Sequence, residues 1–258
     1  MFRRDMPSLG VSAGRTIHVA AGNVKPADDD GFLQPAGPWP DHAVPLGFWH
    51  DEPVAVVVEE AAAGANWPEG RTWLARLPAS RFALLSTALQ VASWRRNHRY
   101  CGRCGSITTQ VPGEFAMHCS SCGHRNYPRI SPCIITLVTH GDELLLARSP
   151  RFPPGRYSTL AGFIEPGEDA EGAVRREVHE EVGLSLGRIR YFRSQAWPFP
   201  HSLMLGFYAE AASRRIMIDH EEIIDAAWFS PGHLPQLPPP YSISRALIET
   251  HLKGVARR

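Results

Sequence analysis

The chain has 258 residues, a formal net charge of +1, 43% apolar residues and 21% charged residues. This length suffices for two domains, and the apolar share is that of an ordinary packed protein. The near-zero charge gives no general attraction to nucleic acid, and no apolar run reaches the roughly 18 residues of a membrane span.

Residues 1–96 form an N-terminal region with Gly, Pro and Asp concentrated near its start, and an α+β domain is expected there. Pro53–Glu59 (PVAVVVE) reads as a strand, and Arg81–Arg96 as a helix because Phe82, Leu85, Leu89 and Ala92 recur at helical spacing. The helix runs into Arg95-Arg96-Asn97-His98-Arg99, with Arg103, Arg125 and Arg129 following. This cluster reads either as a solvated helix end favoured by the dipole or as a surface that steers polyphosphates or RNA.

Residues 97–128 hold two CxxC knuckles, Cys101–Cys104 and Cys119–Cys122, separated by fourteen residues. Four thiolates at this spacing suit a tetrahedral, structural Zn²⁺ site, with Gly105 and Gly123 closing each turn. No apolar signal-type segment precedes them, so a reducing cytoplasm is expected and zinc is favoured over disulfides. Cys133, within an apolar stretch, reads as buried packing.

Residues 129–258 alternate strand and helix patterns. Cys133–Thr139 and Glu143–Ala147 read as strands joined by a turn at His140-Gly141-Asp142. Ala170–Val182 suits a helix, with Ala173, Val174 and Val178 on one face and Gly183 as its stop. Ile189–Arg193, Leu203–Ala209 and Ala226–Phe229 read as further strands, Leu234–Pro240 as a stiff connector, and Ile243–Leu252 as a closing helix. A mixed sheet between helices follows.

The stretch Gly162–Leu184 fits G-x5-E-x7-R-E-U-x-E-E-x-G-U, where U is aliphatic, at Gly162, Glu168, Arg176, Glu177, Val178, Glu180, Glu181, Gly183 and Leu184. Glu177, Glu180 and Glu181 stand at i, i+3 and i+4, so their carboxylates share one helix face and repel one another. A hard divalent cation relieves that repulsion. A merely solvated acidic face would leave Gly162, Glu168, Arg176 and Gly183 unexplained.

This stretch is identified as a Nudix box, the signature of hydrolases of nucleoside diphosphates linked to another group. Downstream, Ser194–Ser202 (SQAWPFPHS) resembles the SQPWPFPxS array of NudC-type NADH pyrophosphatases, with Ala196 in place of a proline. Ribbon, box and array in this order extend the resemblance from about His98 to the last helix.

The resemblance implies an α/β/α Nudix sandwich with a central zinc ribbon. It also implies Mg²⁺- or Mn²⁺-dependent hydrolysis of NAD(H) to nicotinamide mononucleotide and AMP. Removal of NAD caps from RNA comes with it as a second activity, and a homodimer as the assembly. Glu222 matches the downstream acidic metal ligand, Arg176 is implied to pair with Glu168, and Glu181 or Glu180 to act as base. Tyr127 and Phe163 match aromatics that stack on the dinucleotide, with core packing as the alternative. Gln195, Trp197, Phe199 and Ser202 are implied to contact substrate, as is the backbone at Ser244. Other nucleoside diphosphates, or a catalytically silent nucleotide- or RNA-binding regulator, remain the alternatives.

Overall fold

The computed structural model describes residues 1–7, 10–27, 31–60, 66–218 and 220–256. The chain divides into two compact units, one of residues 1–130 with 197–201, the other of residues 131–196 with 202–258.

In the first unit, β1 (Phe2–Arg3), β2 (Ala13–Ala20), β3 (Asn23–Val24), β4 (Gln34–Pro38), β5 (Val44–Trp49) and β6 (Glu52–Val58) form one sheet. Its order is β1-β5-β6-β2-β3, with β4 paired to β2. The β6 run is the strand legible as PVAVVVE, and its Val54–Val57 are buried through the sheet centre. Two helices follow, α1 (Gly70–Arg76) and α2 (Ala79–Asn97). Leu84, Leu85, Ala88, Leu89 and Ala92 of α2 are buried at the three-to-four-residue spacing that seats a helix on a core. Then come the short strands β7 (Thr109–Gln110), β8 (Met117–His118) and β9 (Arg125–Asn126) of the ribbon. Trp94 Nε1 of α2 donates to Asn126 Oδ1 of β9 at 3.1 Å, tying helix to ribbon.

The second unit comprises β10 (Ser131–His140), β11 (Glu143–Arg148), β12 (Leu160–Phe163), α3 (Ala170–Val182), β13 (Leu186–Trp197), β14 (Ser202–Ala211), β15 (Asp225–Phe229) and α4 (Ile243–Val255). Its sheet runs β13-β14-β10-β11-β15, with β12 on β10. The β10–β14 pair is parallel and β10–β11 antiparallel, so the sheet is mixed.

Strand alternation sorts two cores. Ile134 and Val138 of β10 with Phe207 and Ala209 of β14 pack against Ala173, Val174, Val178 and Val182 of α3. The intervening Gly206 and Tyr208 face α4: a Cβ at Gly206 would lie 2.8 Å from Ile243 Cδ1, and the Tyr208 hydroxyl donates to the Leu247 carbonyl at 3.1 Å. Two residues apart means the same face and one apart the opposite face, so helices cover both sides. The unit is an α/β/α sandwich.

Candidate active site

Helix α3 begins at Asp169, whose Oδ1 accepts from the Gly172 N–H at 2.6 Å, and ends at Gly183 with φ 69°. The cap satisfies an otherwise orphaned donor, and the left-handed residue stops the helix where the glycine stands. Between them, the three box glutamates on α3 are not equivalent. Glu177 and Glu181, one turn apart on the row that includes Ala173, are buried at 9% and 5% exposure, whereas Glu180 is exposed.

Arg176 organises this cluster. Its Nε and Nη2 donate to the two Glu168 oxygens at 2.9 Å each, a bidentate pair, and Nη2 also reaches the Phe163 carbonyl at 2.9 Å. Nη1 donates to Glu177 Oε1 at 2.9 Å and to Glu180 Oε2 at 3.0 Å. All five guanidinium protons are committed, which suits arginine's rigid fork and not a lysine. Glu168 Oε2 in turn accepts from the Glu165 N–H at 3.1 Å, so the loop before α3 is fixed to the helix.

The pKa shifts follow from this geometry. Hydrogen bonds from Arg176, then from the Glu165 backbone, hold Glu168 below the usual carboxylate range. Burial pushes Glu177 up; Arg176 opposes the rise, and the negative charges of Glu180 and Glu222 add to it. Glu222 is thus within electrostatic reach of Glu177 although it comes from the exposed segment before β15. Cys133 sits buried beside the cluster, its thiol pushed to about 12 by burial first and then by Glu177 and Glu181. It is protonated packing, not a nucleophile.

The β12 strand supplies the floor. A Cβ on Gly162 would lie 1.8 Å from Glu177 Cδ and 2.0 and 2.1 Å from its oxygens, so the carboxylate occupies the space that a side chain would fill. The site therefore offers oxygen ligands on a fixed frame, which suits a hard divalent cation. Among the described residues, however, no three of these carboxylates bring ligand oxygens within 4.8 Å of one another.

The ribbon differs in being closed already. The Sγ atoms of Cys101, Cys104, Cys119 and Cys122 lie within 4.8 Å of one another, with Cys101–Cys122 at 3.6 Å and Cys104–Cys119 at 3.5 Å. Tetrahedral Zn–S bonds of about 2.3 Å place sulfurs about 3.8 Å apart, close to these separations. The knuckles repeat: Gly105 N donates to the Cys101 carbonyl and Gly123 N to the Cys119 carbonyl, each at 2.9 Å, with φ of 77° and 72°. Hydrogen bonds from Ser106, backbone first, lower Cys104 to about 6. The His124 N–H lowers Cys122, but burial and the neighbouring thiols outweigh it and push that thiol to about 12. Four thiolates at this separation need a cation, and the donor set fits zinc.

The remaining expected residues fall in several places. Phe163 and Tyr127 are 58% and 57% exposed, so neither ring is core packing. Gln195 is fully engaged: Nε2 donates to the Tyr241 carbonyl and Oε1 accepts from the Ile243 N–H, both at 2.7 Å, which caps α4 beside Ser242. Ser244 is buried and its Oγ bonds Thr159 Oγ1 and Ser158 Oγ at 2.9 Å each. Ser202 is also buried. Trp197 and Phe199 meet edge to face at 5.4 Å, and the Arg71 guanidinium covers the Phe199 ring at 4.4 Å. Arg71 lies where no motif was legible, so no sequence signal pointed to it.

Comparison with known proteins agrees with this geometry. The NUDIX domain model matches residues 128–250, and the NADH pyrophosphatase zinc ribbon domain model matches residues 96–127. The "NAD-capped RNA hydrolase NudC" of Stutzerimonas stutzeri is 51% identical over 210 residues, covering 80% of this chain and 76% of its own. The protein of the same name from Pseudomonas fluorescens is 48% identical over 240 residues, covering 90% of this chain and 86% of its own. With a buried, arginine-braced glutamate cluster on one helix and a four-cysteine ribbon before it, the chain belongs to the NudC family of Nudix hydrolases.

Proposed function

We propose that this protein hydrolyses the pyrophosphate bond of NAD(H), giving nicotinamide mononucleotide and AMP, and that it removes NAD caps from RNA by breaking the same bond. The observation that carries this reading is the Glu177 carboxylate seated over Gly162 and braced by Arg176, in a chain sharing about half its residues with capped-RNA hydrolases.

Glu177, Glu180, Glu181 and Glu222 would hold Mg²⁺ or Mn²⁺, and Glu168 with Arg176 would fix the loop and helix against one another. When bound, the divalent ions neutralise bridging phosphate charge and lower the pKa of a coordinated water. The protein's own part is positioning and proton transfer. Arg176 keeps Glu177 and Glu180 in place, and Glu181 or Glu180 accepts the proton from the attacking water. Burial of Glu177 and Glu181 lowers the dielectric around those two carboxylates and so would strengthen their attraction for a bound cation. Phe163 offers an exposed ring of the kind that stacks on a heteroaromatic base. The same role is assigned to Tyr127. Gln195, Trp197, Phe199, Ser202 and Ser244 complete the substrate contacts, Gln195 and Ser244 through the backbone that their side chains fix at the start of α4.

The wider organisation is an N-terminal domain at 1–96, a structural zinc ribbon at 97–128 and a catalytic domain at 129–258, acting as a cytoplasmic homodimer. No helix among the described residues is long and apolar enough to cross a membrane. Comparing kcat/KM for NADH, NAD⁺, ADP-ribose and NAD-capped RNA tests the substrate. Preference for NADH or capped RNA supports the assignment; preference for ADP-ribose with little NADH turnover rejects it.

A further inference from the structure

The arginine cluster that closes α2 is not used by the pyrophosphate chemistry, and the first unit places it in a groove. Three clefts follow α2 toward its C-terminus and share walls. The first, about 220 Å³, is lined by Leu89, Ala92, Arg96 and Phe199. The second, about 670 Å³, shares Val58 and Arg96 with it and adds Arg95 and Arg99. The third, about 170 Å³, shares Arg95 and Arg99 and ends at Tyr100 and Ile107. From Leu89 to its last residue Asn97 the helix rises about 12 Å, and the clefts run on past it to Ile107, longer than any single phosphate needs.

The charges in this groove are poorly balanced by the protein. Arg95, Arg96 and Arg99 line it, and Arg71 lies on the Phe199 ring at one end. The carboxylates present are Glu59, which binds His18 Nδ1 at 2.7 Å, and Glu60, which meets Arg99 at 3.3 Å on the exposed rim. An exposed pair of that kind contributes little and is easily exchanged for another anion. Arg95 in the last turn of α2 and Arg99 just beyond its C-cap line the same clefts, so their like charges face one another there. Burial, and then Arg99, lowers the Arg95 pKa. A favourable helix dipole explains cations in the last turn, but not the partial burial of Arg95 against a cleft that the exposed Arg99 also lines. Exposed Tyr100 and partly exposed Phe199 add rings at the two ends, the combination of basic track and stacking platform used for single strands.

We propose that this groove binds the single-stranded RNA body of a capped substrate, with Arg95, Arg96 and Arg99 on successive phosphates. The inference rests on the capped-RNA reading above and adds to it a contact that NADH, having no RNA body, cannot make. Three phosphate contacts on a single strand give a slope of about −2 for log kcat/KM against log salt, so raising salt from about 50 to about 200 mM costs about sixteenfold.

The test compares full-length wild type with an Arg95→Gln/Arg99→Gln variant on NADH and on NAD-capped single-stranded RNA at both salt concentrations. The variant is expected to lose about tenfold in kcat/KM on capped RNA at low salt and to show under about threefold salt dependence there, with NADH turnover unchanged. NADH turnover serves as the control for folding, and Arg99→Glu at the exposed position gives a second variant with the same expected split. Equal capped-RNA kinetics and salt slope in wild type and both variants would overturn the groove assignment. A wild type that cleaves NADH but not capped RNA would instead overturn the reading beneath it.

Discussion

Gly162→Ala separates the site's geometry from the protein's stability. The added Cβ would lie 1.8 Å from Glu177 Cδ, and ordinary contact begins near 3.4 Å. The carboxylate must therefore retreat by about 1.6 Å. Gly162 does not have the positive φ that penalises a side chain, so the backbone accepts alanine. The displaced atoms are the far end of a flexible side chain, which limits the overpacking cost to about 1 kcal/mol, at the low end of the usual range. In a chain of this size that is about 2–4 °C in Tm. Function is affected far more, because a misplacement of about 1 Å in a positioned group costs about 100-fold. The assay is kcat and half-saturating metal concentration for NADH turnover, beside thermal unfolding of the same sample. The expected result is at least about a 100-fold loss in kcat with the Tm nearly kept. A variant with kcat within about twofold of wild type would refute the argument that the Glu177 position over Gly162 matters. So would a loss of activity that merely follows loss of the fold.

Two further outcomes follow from the same framework. Cys119→Ser should remove a sulfur ligand from the ribbon, so the purified variant should carry less than one equivalent of zinc by elemental analysis and unfold at lower temperature; full zinc content and unchanged unfolding would contradict a structural zinc there. Glu168→Gln tests the Arg176 brace through pH. The folded pKa of Glu168 is depressed, so its contribution is present above the unfolded value of about 4.3 and lost as pH falls through the folded value. The Tm gap between wild type and variant should be full near neutrality and narrow as pH drops below about 4, and a gap equally wide in acid would reject the brace.

Much of the site was legible in the residue pattern. The α3 limits read from the sequence match the structure, because Ala173, Val174 and Val178 mark the buried stripe and Gly183 the stop. The bidentate Glu168–Arg176 pair and the four-cysteine cluster also stand where spacing and resemblance put them. Burial within the acidic set was not legible. Spacing alone puts Glu177, Glu180 and Glu181 on one face, and only packing against the sheet separates the two buried carboxylates from the exposed one. Strand β12 is four residues with a central glycine, too short for alternation to show. In the N-terminal sheet, β4 (QPAGP) and β5 (VPLGFW) carry prolines and glycines that argue against strands locally and are tolerated through tertiary pairing. The capping role of Gln195 was hidden because its partners, Tyr241 and Ile243, lie more than forty residues away.

The most direct test of the central claim is product analysis of NADH incubated with the purified protein, with and without Mg²⁺ or Mn²⁺, by liquid chromatography. Metal-dependent appearance of AMP and reduced nicotinamide mononucleotide in equal amounts is expected, which places the cut between the two phosphates. Release of nicotinamide or adenine, or no product from NADH with either metal, would contradict it.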